Sequence, residues 1–362
     1  MSVRLHLGRL SRAVVTCALA LSGAGCGTAS TSAEPTRTSG EARDGRRAGQ
    51  DGLAEGASAS APAHAPHADG TSAGGTTGTS AAAPACVGHA PPVEVGRVDD
   101  ARLTEISGLA ASRTQPGVLY ANNDSGEPYA RFFALRATGE VLAEIRLADH
   151  DAEDLEELAL GPGPDGRDAV YLADIGDNEA REGRRPRASI HVLRVPEPEI
   201  ASTPRSEALV LTQVERFALR YPERPVDAEA FFVDPAQGDL YLLGKVSYGP
   251  APLFVARAPL SSEHANLLVL LGEILPAGDL GDAITASSLD VSGARLAVRT
   301  YRDLFLFVRA PGEPWLETLS HPVRLPRLHE RQGEAIAFTP EGAILSITEG
   351  EHAPVWRLAP CP

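Results

Sequence analysis

The chain has 362 residues, a formal net charge of −15, and a single lysine, Lys245, against 32 arginines. An acidic balance of this size is repelled by polyanions, and no basic patch with interleaved aromatics offsets it, so nucleic acid is excluded as a partner. Abundant Ala, Gly, Pro and Arg point to a GC-rich coding sequence, which makes a retained lysine a candidate for specified chemistry.

Residues 1–26 read as a bacterial lipoprotein signal. Arg4, Arg9 and Arg12 form a positive n-region, and Ala13 to Ala24 an apolar stretch too short for a stable membrane-spanning helix. Gly23-Ala24-Gly25-Cys26 resembles a lipobox, which implies cleavage before Cys26 and its acylation. That would place the protein in the cell envelope, anchored to a lipid bilayer and facing the periplasm or exterior. An ordinary secreted protein cut nearby is the alternative. Residues 27–85 are almost all Ala, Ser, Gly, Thr, Pro and His with scattered charge, a composition that cannot bury enough apolar surface to fold. A linker of this kind spans roughly 40 Å on average. Residues 86–362 are left for one large domain. Cys86 and Cys361 are the cysteines outside the signal and its lipobox, and they flank that domain, so in an exported protein they read as a disulfide.

Within the domain, short apolar runs recur with turn residues between them. The first blade reads as Ser107–Ala111, Val118–Ala121, Phe132–Ala137 and Val141–Leu147. The second reads as Leu155–Leu160, Ala169–Ala173, Ser189–Val195 and Val214–Arg220, with an Arg-rich loop at Ala180–Arg187. The third reads as Glu229–Val233, Leu240–Gly244, Leu253–Ala256 and Leu267–Leu275. The fourth reads as Ser287–Val291, Arg295–Thr300, Asp303–Val308 and a weak strand near His321–Leu325. The last gives Glu334–Phe338, Ala343–Thr348 and Pro354–Leu358, and lacks an outer strand. The anchor positions Ser107, Glu156, Glu229, Ser287 and Glu334 are spaced by 49, 73, 58 and 47 residues. A diverged period of short strands predicts an all-β propeller of five four-stranded blades, with six as the alternative if the long second repeat hides one more. The orphan strand Pro92–Val98 is expected to complete the last blade and close the ring, which would bring Cys86 beside Cys361.

First strands of propeller blades line the central channel, so Glu156, Glu229 and Glu334 are expected there. Asp154 and Asp227 precede two of these by two residues and point the same way. Asn123, Asp174, Asp177, Lys245, Arg299 and Glu349 follow second strands. The result is an acidic ring holding Lys245 and Arg299. Three readings fit it. The carboxylates Asp154, Glu156, Asp174, Asp177, Asp227, Glu229, Glu334 and Glu349 could ligate a hard cation, calcium better than zinc. The ring could be a structural network neutralised by Lys245 and Arg299. It could also act on phosphate esters through metal and these two cations as catalytic groups. Asp174-Ile175-Gly176-Asp177-Asn178 is the most metal-like stretch, and it reads equally as an Asx-rich turn. Within residues 86–362 no Gly-x-Ser-x-Gly elbow, HExxH pair or phosphate-binding Gly-rich loop occurs.

The segments EDLE at 153–156, DIGDN at 174–178, VPEP at 195–198, DAEA at 227–230, RTY at 299–301 and QGEA at 332–335 together resemble a group of secreted bacterial β-propeller proteins of unassigned activity. More distantly they are similar to phytase-like propellers, including the group named for esterase-like activity. That resemblance implies calcium ligands at Asp174, Asp177, Glu229 and Glu334, with Lys245 and Arg299 facing phosphate. The function expected is a tethered extracytoplasmic propeller binding a ligand or partner protein at an acidic, calcium-holding mouth. A phytase-like phosphoesterase and a structural envelope protein are the alternatives.

Overall fold

The computed structural model describes residues 88–124, 129–247, 249–275, 282–330 and 332–361. The signal, the linker, Cys26 and Cys86 lie outside the described residues.

Strand β1 (Val93–Val98) precedes the blades. Blade one holds β2 (Ile106–Ala111), β3 (Val118–Asn123), β4 (Tyr129–Arg136) and β5 (Val141–Asp151). Blade two holds β6 (Leu155–Pro162) and β7 (Asp168–Asp174), then the one-turn helix α1 (Asn178–Arg181) and β8 (Ile190–Pro196). A three-residue strand β9 (Leu209–Leu211) comes before its outer strand β10 (Glu215–Arg220). Blade three holds β11 (Ala228–Val233), β12 (Leu240–Gly244) and β13 (Ala251–Ala256), and after the short β14 (Asn266–Leu267), which pairs elsewhere, the outer β15 (Val269–Ile274). Blade four holds β16 (Ile284–Leu289), β17 (Arg295–Thr300), β18 (Leu304–Val308), the helix α2 (Trp315–Thr318) and β19 (Val323–Arg324). Blade five holds β20 (Gly333–Phe338), β21 (Ile344–Thr348) and β22 (Ala353–Leu358).

The described residues thus form five sheets, a five-bladed propeller. Each sheet buries both faces against its neighbours, and one apolar cluster fills each of the five seams. Trp315 packs at the seam of blades three and four, edge-on to Phe232 with ring centroids 5.1 Å apart. Trp356 packs at the seam of blades four and five. The hairpin turns are set by local chemistry. Asp290 Oδ1 accepts from the amides of Ala294 and Arg295 at 3.1 and 3.0 Å, which holds the β16–β17 turn.

The ring closes as expected. β1 pairs antiparallel with β22, Val98 opposite Ala353 and Val93 opposite Arg357. Gly139 fits this joint for two reasons. Its φ of 89° suits glycine, and a Cβ there would lie 1.7 Å from Arg97 O of β1. Beyond β1 the pairing continues: Cys361 N donates to Gly88 O at 3.0 Å.

Three details differ from the sequence reading. β9 pairs in parallel with β5, and β14 in parallel with β10, so each lies on the outer edge of the preceding blade. Leu267 therefore belongs to blade two's sheet, not to the outer strand of blade three. The long second repeat hides no sixth blade; its length goes into α1, the loop after it and β9. The Arg-rich loop turns inward at its end, where Arg187 pairs with Asp174 at 3.0 Å.

Candidate functional site

Every innermost strand carries a bulge at the same register. The partner strand skips one residue at Ser107, Glu156, Glu229, Thr285 and Glu334. A bulge adds an unpaired residue and re-aims its side chain, here towards the channel. The blade-four member is thus Thr285, not Ser287, and the ring spacing becomes 49, 73, 56 and 49 residues. Ser287 lies two residues deeper. The two hydroxyls act alike. Ser107 Oγ donates to Glu156 O at 2.7 Å, and Thr285 Oγ1 donates to Gly333 O at 2.8 Å, each stitching one blade to the next.

Glu156, Asp227 and Glu229 converge. All are buried, and each places a carboxylate oxygen within 4.8 Å of the others. Asp154 joins them from the loop before β6. A Cβ on Gly176 would fall 2.4 Å from both Asp154 Oδ2 and Glu156 Oε1, so the glycine of the 174–178 stretch lets the two carboxylates lie over the backbone. Lys245 forms an ion pair with Glu229 Oε1. Glu229 Oε2 and Asp227 Oδ2 accept no hydrogen bond, and Arg181 Nε stands 3.5 Å from the latter.

The electrostatics follow from this crowding. Burial, then the neighbouring carboxylate of Glu229, pushes Glu156 well above the usual carboxylate range. Burial does the same to Glu229 despite the Lys245 ammonium. Asp154 is raised by burial and by Asp227 to about 6, and Glu334 by burial to about 7. Burial and Asp124 raise Glu349 to about 6. Burial opposes the charge on Lys245, but Glu229 outweighs it and holds the amine above its ordinary value.

The other expected site residues make contacts of their own. Asp174 accepts from the amides of Glu153 and Asp154 at 3.2 and 2.9 Å and pairs with Arg187. Asp177 caps α1 through Ala180 N at 3.0 Å, accepts from Arg187 N at 2.8 Å, and donates its own amide to Asp227 Oδ1 at 2.8 Å. These two acids build the turn that supports the cluster. Glu334 and Glu349 share the amide of Gln332 on the blade-five side of the mouth. Arg299 is 2% exposed and pairs with Glu330 and Ser346. It runs so close over Gly333 that a Cβ there would lie 1.5 Å from Nη2.

Tyr301 is the mouth residue that sequence reading missed. One step past the second strands stand Asp124, Lys245, Tyr301 and Glu349, each following a residue paired with the start of an innermost strand. Arg299 is two steps short of that position. Lys245 Nζ sits 5.2 Å from the centre of the Tyr301 ring, in cation–π range. Counting from strand ends would have found it. Beside the cluster, Arg181, Asp227 and Lys245 line a groove together with Val226, Pro252 and Phe254.

No family model matches this chain, and no curated protein matches it. Among solved structures it is similar to a PQQ-bound aldose sugar dehydrogenase from Streptomyces coelicolor, at 12% identity and a TM-score of 0.44, over 76% of this chain and 99% of that one. An auxiliary nutrient binding protein from Bacteroides thetaiotaomicron matches at 8% identity and a TM-score of 0.38, over 75% and 76% of the two chains. A protein described as a putative gluconolactonase matches at 13% identity and 0.38, over 71% and 74%.

Proposed function

We propose that this protein is a lipid-tethered extracytoplasmic propeller that binds a ligand or partner at the acidic mouth, with a calcium ion held by Glu156, Asp227, Glu229 and Asp154. The observation that carries the reading is the convergence of buried carboxylates, with Glu229 Oε2 accepting no hydrogen bond and Asp227 Oδ2 facing only Arg181 Nε at 3.5 Å. Buried carboxylate oxygens that accept no hydrogen bond are costly, and a hard cation with oxygen ligands satisfies them. An all-oxygen set also favours calcium over zinc. Bound there, calcium would supply an open, oxygen-seeking coordination position to a ligand entering from the groove. The anchor at Cys26 and the disulfide between Cys86 and Cys361 belong to the same proposal.

A structural network is the second reading, favoured by the Lys245–Glu229 pair. A phytase-like phosphoesterase draws less support, since Lys245 and Arg299 are both engaged in ion pairs. Thermal unfolding separates the readings. With EDTA and then excess calcium, the metal reading expects stabilisation of about 2.7 kcal/mol at a hundredfold excess over Kd. The shift should vanish in a Glu229→Gln, Asp227→Asn variant that still folds. An EDTA-insensitive melting curve with no metal in the purified protein would leave the ion-pair network as the account.

A further inference from the structure

Innermost propeller strands leave one edge unpaired, and in this fold that edge faces the axis. Two residues past each bulge stand Leu109, Leu158, Phe231, Ser287 and Ile336. The amides of three of them meet one side chain. Glu157 Oε1 accepts from Leu109 N at 3.2 Å and from Leu158 N at 3.1 Å, and Oε2 accepts from Ser287 N at 3.0 Å. Leu109 belongs to blade one and Ser287 to blade four. Blade four does not adjoin blade two, so this carboxylate crosses the axis.

The sequence makes room for it. One residue past each bulge stand Gly108, Glu157, Ala230, Ala286 and Ala335. One blade supplies a carboxylate, and the other four supply no side chain or a methyl. Blade one cannot take even the methyl, since a Cβ on Gly108 would lie 2.6 Å from Leu158 N and 2.8 Å from Glu157 C. Glu157 is 0% exposed. Its level separates the mouth from a funnel at the opposite end, lined by one stretch from every blade.

We propose that these axial amides are an anion site of the fold, which the chain fills with its own Glu157 carboxylate and which would otherwise take a small monocarboxylate. The donors are main-chain groups, so the site persists when the side chain is removed. Amide donors converging on a buried position bind anions for the same reason that backbone nests do.

The test is chemical rescue in the full chain. Glu157→Ala should melt roughly 5–10 °C below the parent, from the loss of a buried, multiply bonded acceptor. Acetate or formate should restore part of that loss in a saturable way, whereas chloride at matched ionic strength should not. Glu157→Gln fills the space and keeps one acceptor oxygen. It should fold, melt between the two, and gain nothing from acetate. Three results would overturn the proposal: a Glu157→Ala chain as stable as the parent, no rescue by carboxylate, or an equal acetate shift in parent and Glu157→Gln. Should Glu157→Ala fold only in the presence of acetate, refolding yield in acetate against chloride is the readout, and equal yields would overturn the idea as well.

Discussion

At the scale of single residues, glycines and a histidine carry as much of the architecture as the acids do. Gly176 and Gly333 let charged groups pass directly over backbone, which no other residue would allow. His89 is buried at the ring joint, and its Nε2 donates to Gly342 O at 3.0 Å. Burial holds its pKa below the ordinary histidine value near 6.5, against the pull of that bond. The folded state therefore prefers the neutral ring. The stability this gives is complete above that ordinary value and is lost as pH falls through the window below it. His89→Gln should accordingly lose most, relative to parent, at pH ~7.5, and the gap in Tm should narrow towards pH ~5. Parallel curves would show that His89 does not titrate with folding. Little of this was legible beforehand. Glu156, Glu229 and Asp227 could be placed because motif and strand position agreed. Glu157 could not, because simple alternation sends it to the face opposite Glu156, and only the bulge turns it to the axis. The same bulge, invisible in composition, shifts the blade-four position from Ser287 to Thr285.

At the scale of elements, β1 shows how a strand with four exposed residues can still be specified. Val93 and Val95 face solvent, while Val98 is 1% exposed in the seam between blades five and one. Val98→Ala should cost about 2 kcal/mol in a denaturant titration, from lost burial and the space left behind. A cost under about 0.5 kcal/mol would mean that the joint is held by hydrogen bonds alone. The four-strand pattern of most blades could be read from turn residues and from counting, and so could the borrowed outer strand. β9 and β14 could not. Two or three residues give no periodicity, and their strand character comes from the edge they cover.

At the scale of the whole molecule, the chain closes on itself through β1, and the proposed disulfide would close it a second time. Strand β1 does it by hydrogen bonds, and the disulfide would do it by a covalent bond. Cys361 already donates to Gly88, two residues from Cys86. Non-reducing peptide mapping of the mature protein should find Cys86 and Cys361 in one linked species, and recovering both as alkylated thiols would sink the disulfide. Reduction should then lower stability by up to about 4–5 kcal/mol, less any strain. The ring itself was legible from strand count, because the last repeat lacks an outer strand and the strand before blade one has no blade of its own. The overlap of blades was not, and it gives the ring a grain. β9 laps blade one with chain from blade two, and β14 laps blade two with chain from blade three. The lapping stops there. Blade four ends in the two-residue strand β19, with no strand laid over it among the described residues. Local opening should therefore begin at that seam and reach the lapped blades last, like shingles lifted from the unnailed end.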